Sequence, residues 1–158
     1  MKTKDELITL LVENVEEFNN YVEENNNGID LTEVDLSNIT VADAVFHNID
    51  LSSTTFSDSH FTNVKFENCD LSSADFTRSN LEECSFNNSI LNGTDFSYAV
   101  INYCNFNEAD MAGTVLQESD LTDSDLSTSY NLNACRFDDG TIWPDDDMLP
   151  EDFAGLYS

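Results

Sequence analysis

The stretch Glu67-Asn-Cys-Asp-Leu-Ser-Ser-Ala-Asp-Phe76 places Asp70-Leu71 five residues before Asp75-Phe76, each pair preceded by a small residue, Cys69 or Ala74. The same interval runs outward in both directions. A large apolar residue stands at 31, 36, 41, 46, 51, 56, 61, 66, 71, 76, 81, 86, 91, 96, 101, 106, 111, 116, 121 and 126: nine Leu, eight Phe, Val41, Ile101 and Met111. A spacing of five is neither the period of two of a strand nor the 3.6 of a helix, so a fixed repeat over this length requires a repeat architecture.

Two positions before each large residue lies a small or β-branched one, including Thr54, Cys69, Ala74, Ser89, Thr94 and Cys104. Burying positions i and i−2 while exposing i−1, i+1 and i+2 turns the chain inward once per five residues. Ser and Thr fit the buried i−2 position only where their hydroxyls reach backbone partners. If each unit forms one side of a square, residues twenty apart stack. Sorting by that rule gives Leu31, Leu51, Leu71, Leu91, Met111 in one column and Phe46, Phe66, Phe86, Phe106, Leu126 in another. A third holds Leu36, Phe56, Phe76, Phe96 and Leu116, and the fourth, Val41, Phe61, Leu81, Ile101, Leu121, is mixed. Columns of like volume suit a densely packed core. With coils about 4.8 Å apart, residues 31–142 make about five and a half coils, a rod about 27 Å long.

Both ends need lids. In residues 1–28, Thr3 and Glu6 form a capping box. Leu7, Leu10, Leu11, Val15, Phe18, Tyr21 and Val22 share one helical face, with Gly28 placed to stop the helix and a break near Asn14 as an alternative to one continuous helix. The repeat occupies 29–142, with one residue inserted near Asn131 so that Leu132, Phe137 and Ile142 carry the series on and Tyr130 is exposed. The tail, 143–158, ends the coil at Trp143-Pro144 and offers Met148, Leu149, Phe153, Leu156 and Tyr157 as a second lid or as a dimer seam. A monomer is favoured over the tail-mediated dimer.

These residues resemble the pentapeptide repeat family, whose unit is a small residue, Asp or Asn, Leu or Phe, and two variable residues. The unit stands here at Ala74-Asp75-Phe76, Cys69-Asp70-Leu71, Ala109-Asp110-Met111, Ser119-Asp120-Leu121 and Ser124-Asp125-Leu126. The resemblance implies an all-β solenoid, a right-handed quadrilateral β-helix with an N-terminal α-helical cap. It also implies, more narrowly, a bacterial DNA mimic that binds DNA gyrase or topoisomerase IV, although this chain lacks the projecting loops and long C-terminal helix of those members.

Thirty-two Asp plus Glu against five Lys plus Arg give a net charge of −27, which disfavours direct contact with nucleic acid and favours a basic protein partner. The expected interaction surface is Asp30, Asp50, Asp70 and Asp110 in one column, Asp35, Asp75 and Asp95 in the next, and Asp145, Asp146 and Asp147 in the tail. The family resemblance implies a second reading of the same aspartates, as acceptors for neighbouring backbone groups. No catalytic, cofactor or metal residue is expected. His47 and His60 fall on different faces, and the four Cys form no CxxC pair. Cys84 and Cys104 stack at i−2 and are read as buried thiols. No apolar run of about eighteen residues and no signal-like leader is present, so no membrane association and a cytoplasmic location are expected.

Overall fold

The computed structural model describes residues 1–154. Two short helices open the chain, α1 (Lys4–Glu13) and α2 (Val15–Glu24). Thr3 Oγ1 accepts from the Glu6 amide while Glu6 accepts from the Thr3 amide, so α1 begins with a complete capping box. Asn14 ends α1, donating its amide to the Leu10 carbonyl, and begins α2, its side chain accepting from the Glu17 amide. The break therefore falls at Asn14. Gly28, at φ 90°, does not stop the helix, because α2 already ends at Asn25, whose amide donates to the Tyr21 carbonyl.

From Ile29 the chain winds into stacked coils. Six three-residue strands are regular enough to name: β1 (Thr40–Ala42), β2 (Val45–His47), β3 (His60–Thr62), β4 (Lys65–Glu67), β5 (Asn80–Glu82) and β6 (Val100–Asn102). They pair in parallel as β1-β3-β5-β6 and β2-β4, always at an offset of twenty, as in Phe46↔Phe66 and Leu81↔Ile101. The other two sides carry single bridges at the same offset, Asp30↔Asp50↔Asp70↔Ile90↔Asp110↔Tyr130 and Asp35↔Thr55↔Asp75↔Asp95↔Val115. Four sides of five residues thus make one coil.

The corners explain why so short a unit closes. Residue i+2 is left-handed at nearly every corner, from Glu33 at φ 57° through Asn38, Asn63 and Tyr98 to Asp123 at φ 59°. Asn, Asp and Gly adopt this conformation most cheaply, which accounts for their frequency there. Inside, Phe46, Phe66, Phe86 and Phe106 stack with centroids 4.9–5.1 Å apart and planes within 9° of parallel. Phe56, Phe76 and Phe96 form a second stack, and the two meet edge to face. Buried hydroxyls at i−2 find the partners their position demands: Thr54, Thr94 and Thr114 Oγ1 donate to the carbonyls of Leu31, Leu71 and Leu91 at 2.6–2.9 Å, tying successive coils.

The N-terminal lid packs Phe18 on Phe46 at 5.2 Å. Asn19 also serves the exposed backbone edge, its Oδ1 accepting from the Val45 amide at 2.8 Å and its Nδ2 donating to the Asp43 carbonyl at 2.9 Å. One coil later the corresponding amide, that of Lys65, donates to the carbonyl of Ala44, so the Asn19 side chain supplies what a preceding coil would.

At the other end the register slips twice. Val115 pairs with Arg136, an offset of twenty-one, after a 3-10 turn at Leu132–Ala134, and Asp120 pairs with Ile142, an offset of twenty-two, after the Asp138–Thr141 turn. Tyr130 is exposed as expected. Ile142 is not an inward residue: it takes the outer i−1 position, 52% exposed, and Trp143 takes the inward one. Trp143 meets Phe137 and Phe153 edge-on, and Leu149 and Phe153 are buried over the open end, with α3 (Glu151–Ala154) closing the described chain. The expected contributions of Leu156 and Tyr157 lie outside the described residues.

Candidate interaction surface

Each coil presents its i−1 side chains outward in ladders, so the stacking that builds the core also builds columns of carboxylates. Asp30, Asp50, Asp70 and Asp110 share one side, interrupted by Ile90, and Asp35, Asp75 and Asp95 share the next, with Thr55 and Val115. In every one of these seven, Oδ1 accepts from the backbone amide two residues on, as Asp50 from Ser52 at 3.0 Å, Asp75 from Thr77 at 2.8 Å and Asp110 from Ala112 at 3.1 Å. One oxygen of each aspartate holds the corner. Among the described residues the second oxygen of each has no hydrogen bond.

These bonds stabilise the ionised carboxylate. The Thr32 amide, the Thr32 hydroxyl and Lys4, whose Nζ lies 3.1 Å from Oδ1, bring Asp30 down to about 2. Ser37 lowers Asp35 through its hydroxyl and its amide. Asp145, Asp146 and Asp147 are exposed at a 3-10 turn between Ile142, which pairs over Asp120, and Met148, which accepts from the Leu126 amide. They therefore stand apart from the two sides that carry the other seven.

A further set of carboxylates occupies corners or adjoining positions where the fold has no need of a charge, among them Glu33, Glu83, Glu108, Glu118 and Asp123 at left-handed residues. Of the five cations, Lys4 pairs with Asp30, and Arg78 donates to both oxygens of Asp58 at 2.8 and 2.7 Å. The acidic surplus is thus largely uncompensated by the chain itself.

Two exposed aromatic residues besides Tyr130 were not anticipated from the repeat. Tyr98 and Tyr103 are 61% and 60% exposed at successive corners, with Val100, 37% exposed, between them on β6. The signal was legible in principle, since a ring stands at i+2 where most units carry Asn, Asp, Ser or Gly. The charge of Asp123, which also accepts from the Tyr103 hydroxyl, and that of Glu82 hold the Tyr103 pKa above the usual tyrosine value. A shallow groove of about 230 Å³ lies elsewhere, between α2 and β2, lined by Asn19, Val22, Glu23, Asn26, Val45 and His47.

Among the described residues no group of three His, Cys, Asp or Glu side chains is arranged to hold a metal ion, and no helix is long and apolar enough to cross a membrane. His60 lies on the outer side of β3, away from His47. All four cysteines are free and buried. Burial pushes the Cys69 thiol up to about 12, and the Cys84 sulfur beside Cys104, together with burial, holds Cys104 well above the ordinary thiol range.

No curated protein matches the chain significantly. Among solved structures it is similar to the pentapeptide repeat protein Rfr23 from the cyanobacterium Cyanothece 51142, with TM-score 0.69 and 19% identity over 79% of this chain and 97% of that one. A pentapeptide repeat protein of the Arabidopsis thaliana thylakoid lumen shares 21% identity over 65% of this chain and 68% of that one, at TM-score 0.35. QnrB1, a plasmid-mediated fluoroquinolone resistance protein, shares 15% over 71% and 91%, at TM-score 0.32. The likeness to Rfr23 shows the fold, a right-handed quadrilateral β-helix. The family described as pentapeptide repeat region matches residues 26–96 and 59–142, and with the five-residue unit, the twenty-residue ladders and the left-handed corners this establishes that the chain belongs to the pentapeptide repeat family.

Proposed function

We propose that this protein is a non-enzymatic acidic scaffold that engages a basic protein partner through its electronegative sides. The observation that carries the reading is the surplus of carboxylates: the fold employs one oxygen of each columnar aspartate, while Glu33, Glu83, Glu108 and Glu118 occupy corners that Asn, Asp or Gly fill more cheaply. Asp30, Asp35, Asp50, Asp70, Asp75, Asp95 and Asp110, with Asp145, Asp146 and Asp147, are the candidate contacts. Four free thiols support a reducing compartment such as the cytoplasm.

A lysine- or arginine-rich probe protein tests this reading directly. Binding measured by calorimetry at about 50 mM salt weakens steeply by about 300 mM if charge steers it, because exposed charges are screened beyond about 10 Å at 0.1 M salt. No binding at low salt overturns the proposal. The narrower alternative, DNA mimicry on gyrase or topoisomerase IV, draws on the same ladders of carboxylates; inhibition of gyrase supercoiling by the purified protein supports it, and its absence together with no binding to either enzyme at low salt removes it.

A further inference from the structure

The side built by β1, β3, β5 and β6 is the most regular sheet of the rod, and its outer surface changes character along its length. Near the N-terminal end it shows Thr40, His60 and Asn80. At β6 it shows Val100 flanked by the rings of Tyr98 and Tyr103. The adjoining coils place carboxylates around this apolar centre, with Glu82 and Glu83 on one side and Glu118, Asp120 and Asp123 on the other. Arg78, one coil from Tyr98, is already held by both oxygens of Asp58, so it does not neutralise them. Asn102 Oδ1, between Val100 and Tyr103 in sequence, is buried with no donor among the described residues.

Exposed rings and carboxylates together suit one side chain better than others. A guanidinium can lie flat on a tyrosine face and still donate in parallel to a carboxylate, and its three-carbon stem can cover a valine, whereas an ammonium is a compact, strongly hydrated point charge. We infer that the outer face of β6, centred on Tyr98, Val100 and Tyr103, is a docking site for an arginine-rich segment of a partner protein. A second copy of this chain is a poor occupant, since each brings a net charge of −27 to the contact. The inference rests on the acidic-scaffold reading and adds to it the place on the surface and the partner's side chain.

The test uses the full chain with labelled hexa-arginine and hexa-lysine peptides, followed by fluorescence anisotropy at low salt. Hexa-arginine binds more tightly than hexa-lysine. The double variant Tyr98→Asn with Tyr103→Asn keeps every charge and puts Asn at left-handed corners, as at Asn38 and Asn63. It weakens hexa-arginine binding by about fivefold to thirtyfold, the effect of two exposed ring contacts, and erases the preference over hexa-lysine. Asp30→Asn with Asp50→Asn, on another side, leaves that preference intact. Equal binding of the two peptides, unaffected by loss of the rings, overturns the docking site while the acidic scaffold stands; no binding of either peptide overturns both. Chemical-shift mapping on the unaltered protein gives an independent readout, with hexa-arginine shifting residues 80–83 and 98–103, and a map centred on Asp30–Asp75 overturns the placement. Concentration-dependent dimerisation abolished by the double variant assigns the face to a second copy, and also overturns it.

Discussion

Phe76 is the side chain on which the stacked core can be tested most sharply. Its ring is fully buried and lies 4.6 Å from that of Phe56 and 5.0 Å from that of Phe96, nearly parallel to both, with Phe66 and Phe86 edge-on at 5.6 and 5.8 Å. Truncating a buried Phe to Ala costs about 3–5 kcal/mol. These four ring contacts and a fifth, with Phe61 at 6.3 Å, each worth about 0.5–1.5 kcal/mol beyond area in isolated pairs, place Phe76→Ala at the upper end, about 4–5 kcal/mol, because stacked coils above and below cannot close around the gap without breaking register. Phe76→Leu keeps most of the volume, matches Leu36 and Leu116 in the same column, and costs less than about 1.5 kcal/mol. Urea unfolding followed by circular dichroism measures both; at a slope of about 2 kcal/mol per molar, Phe76→Ala lowers the midpoint by about 2 M. A loss below about 2 kcal/mol for Phe76→Ala, or equal losses for the two variants, refutes the rigid ladder. A halved slope shows instead that the rod separates into independently unfolding coils on either side of the gap.

Thr94→Val keeps the shape of the wall but removes the Oγ1 bond to the Leu71 carbonyl, which retains the Ala74 amide, so it costs about 1 kcal/mol in the same urea assay. Glu83→Asn replaces a glutamate at φ 55° with a residue that adopts this conformation more readily and removes a surplus charge; the urea midpoint rises rather than falls. The carboxylate of Asp30 is depressed to about 2, so its contribution is fully present above the ordinary value near 3.8 and is lost as pH falls through about 2; the difference in urea midpoint between the native chain and Asp30→Asn is therefore constant from pH 7 to about 4 and vanishes below about 2. Native protein reacts with no thiol reagent within minutes and with four equivalents once unfolded, whereas two missing equivalents in a non-reduced sample reveal a Cys84–Cys104 bond.

The interval between Asp70-Leu71 and Asp75-Phe76 was enough to derive the coil, because every fifth residue must be large and every twentieth must stack, and no other regular structure satisfies both. Phe46 over Phe66 follows from that rule; that the buried Thr94 hydroxyl needs a backbone partner was also readable, whereas the identity of that partner, the Leu71 carbonyl, was not. Less legible were the places where the rule ends. Gly28 reads as a helix stop, yet Asn25 terminates α2 first. Near Ile142 the second inserted residue hides in the Asp138–Thr141 turn, where five-spacing from Phe137 falls on an apolar residue by coincidence and Trp143 is the better filler of a broad open end. The acidic columns were readable as positions, but only the structure divides each aspartate into an oxygen that holds a corner and one that does not. Tyr98 and Tyr103 escaped notice because a period identifies inward residues and treats all outward ones alike.

Asn19 has a meaning beyond the lid it helps to seat. A solenoid is formally a polymer whose growing face is a row of amides and carbonyls, and nothing in the repeat itself limits how many coils are added or which molecule supplies the next. By answering the Val45 amide and the Asp43 carbonyl with a side chain that offers no further strand, Asn19 acts as an end group. At this point of the open edge the amide and the carbonyl are already engaged within the chain, and so are withheld from a strand of another molecule.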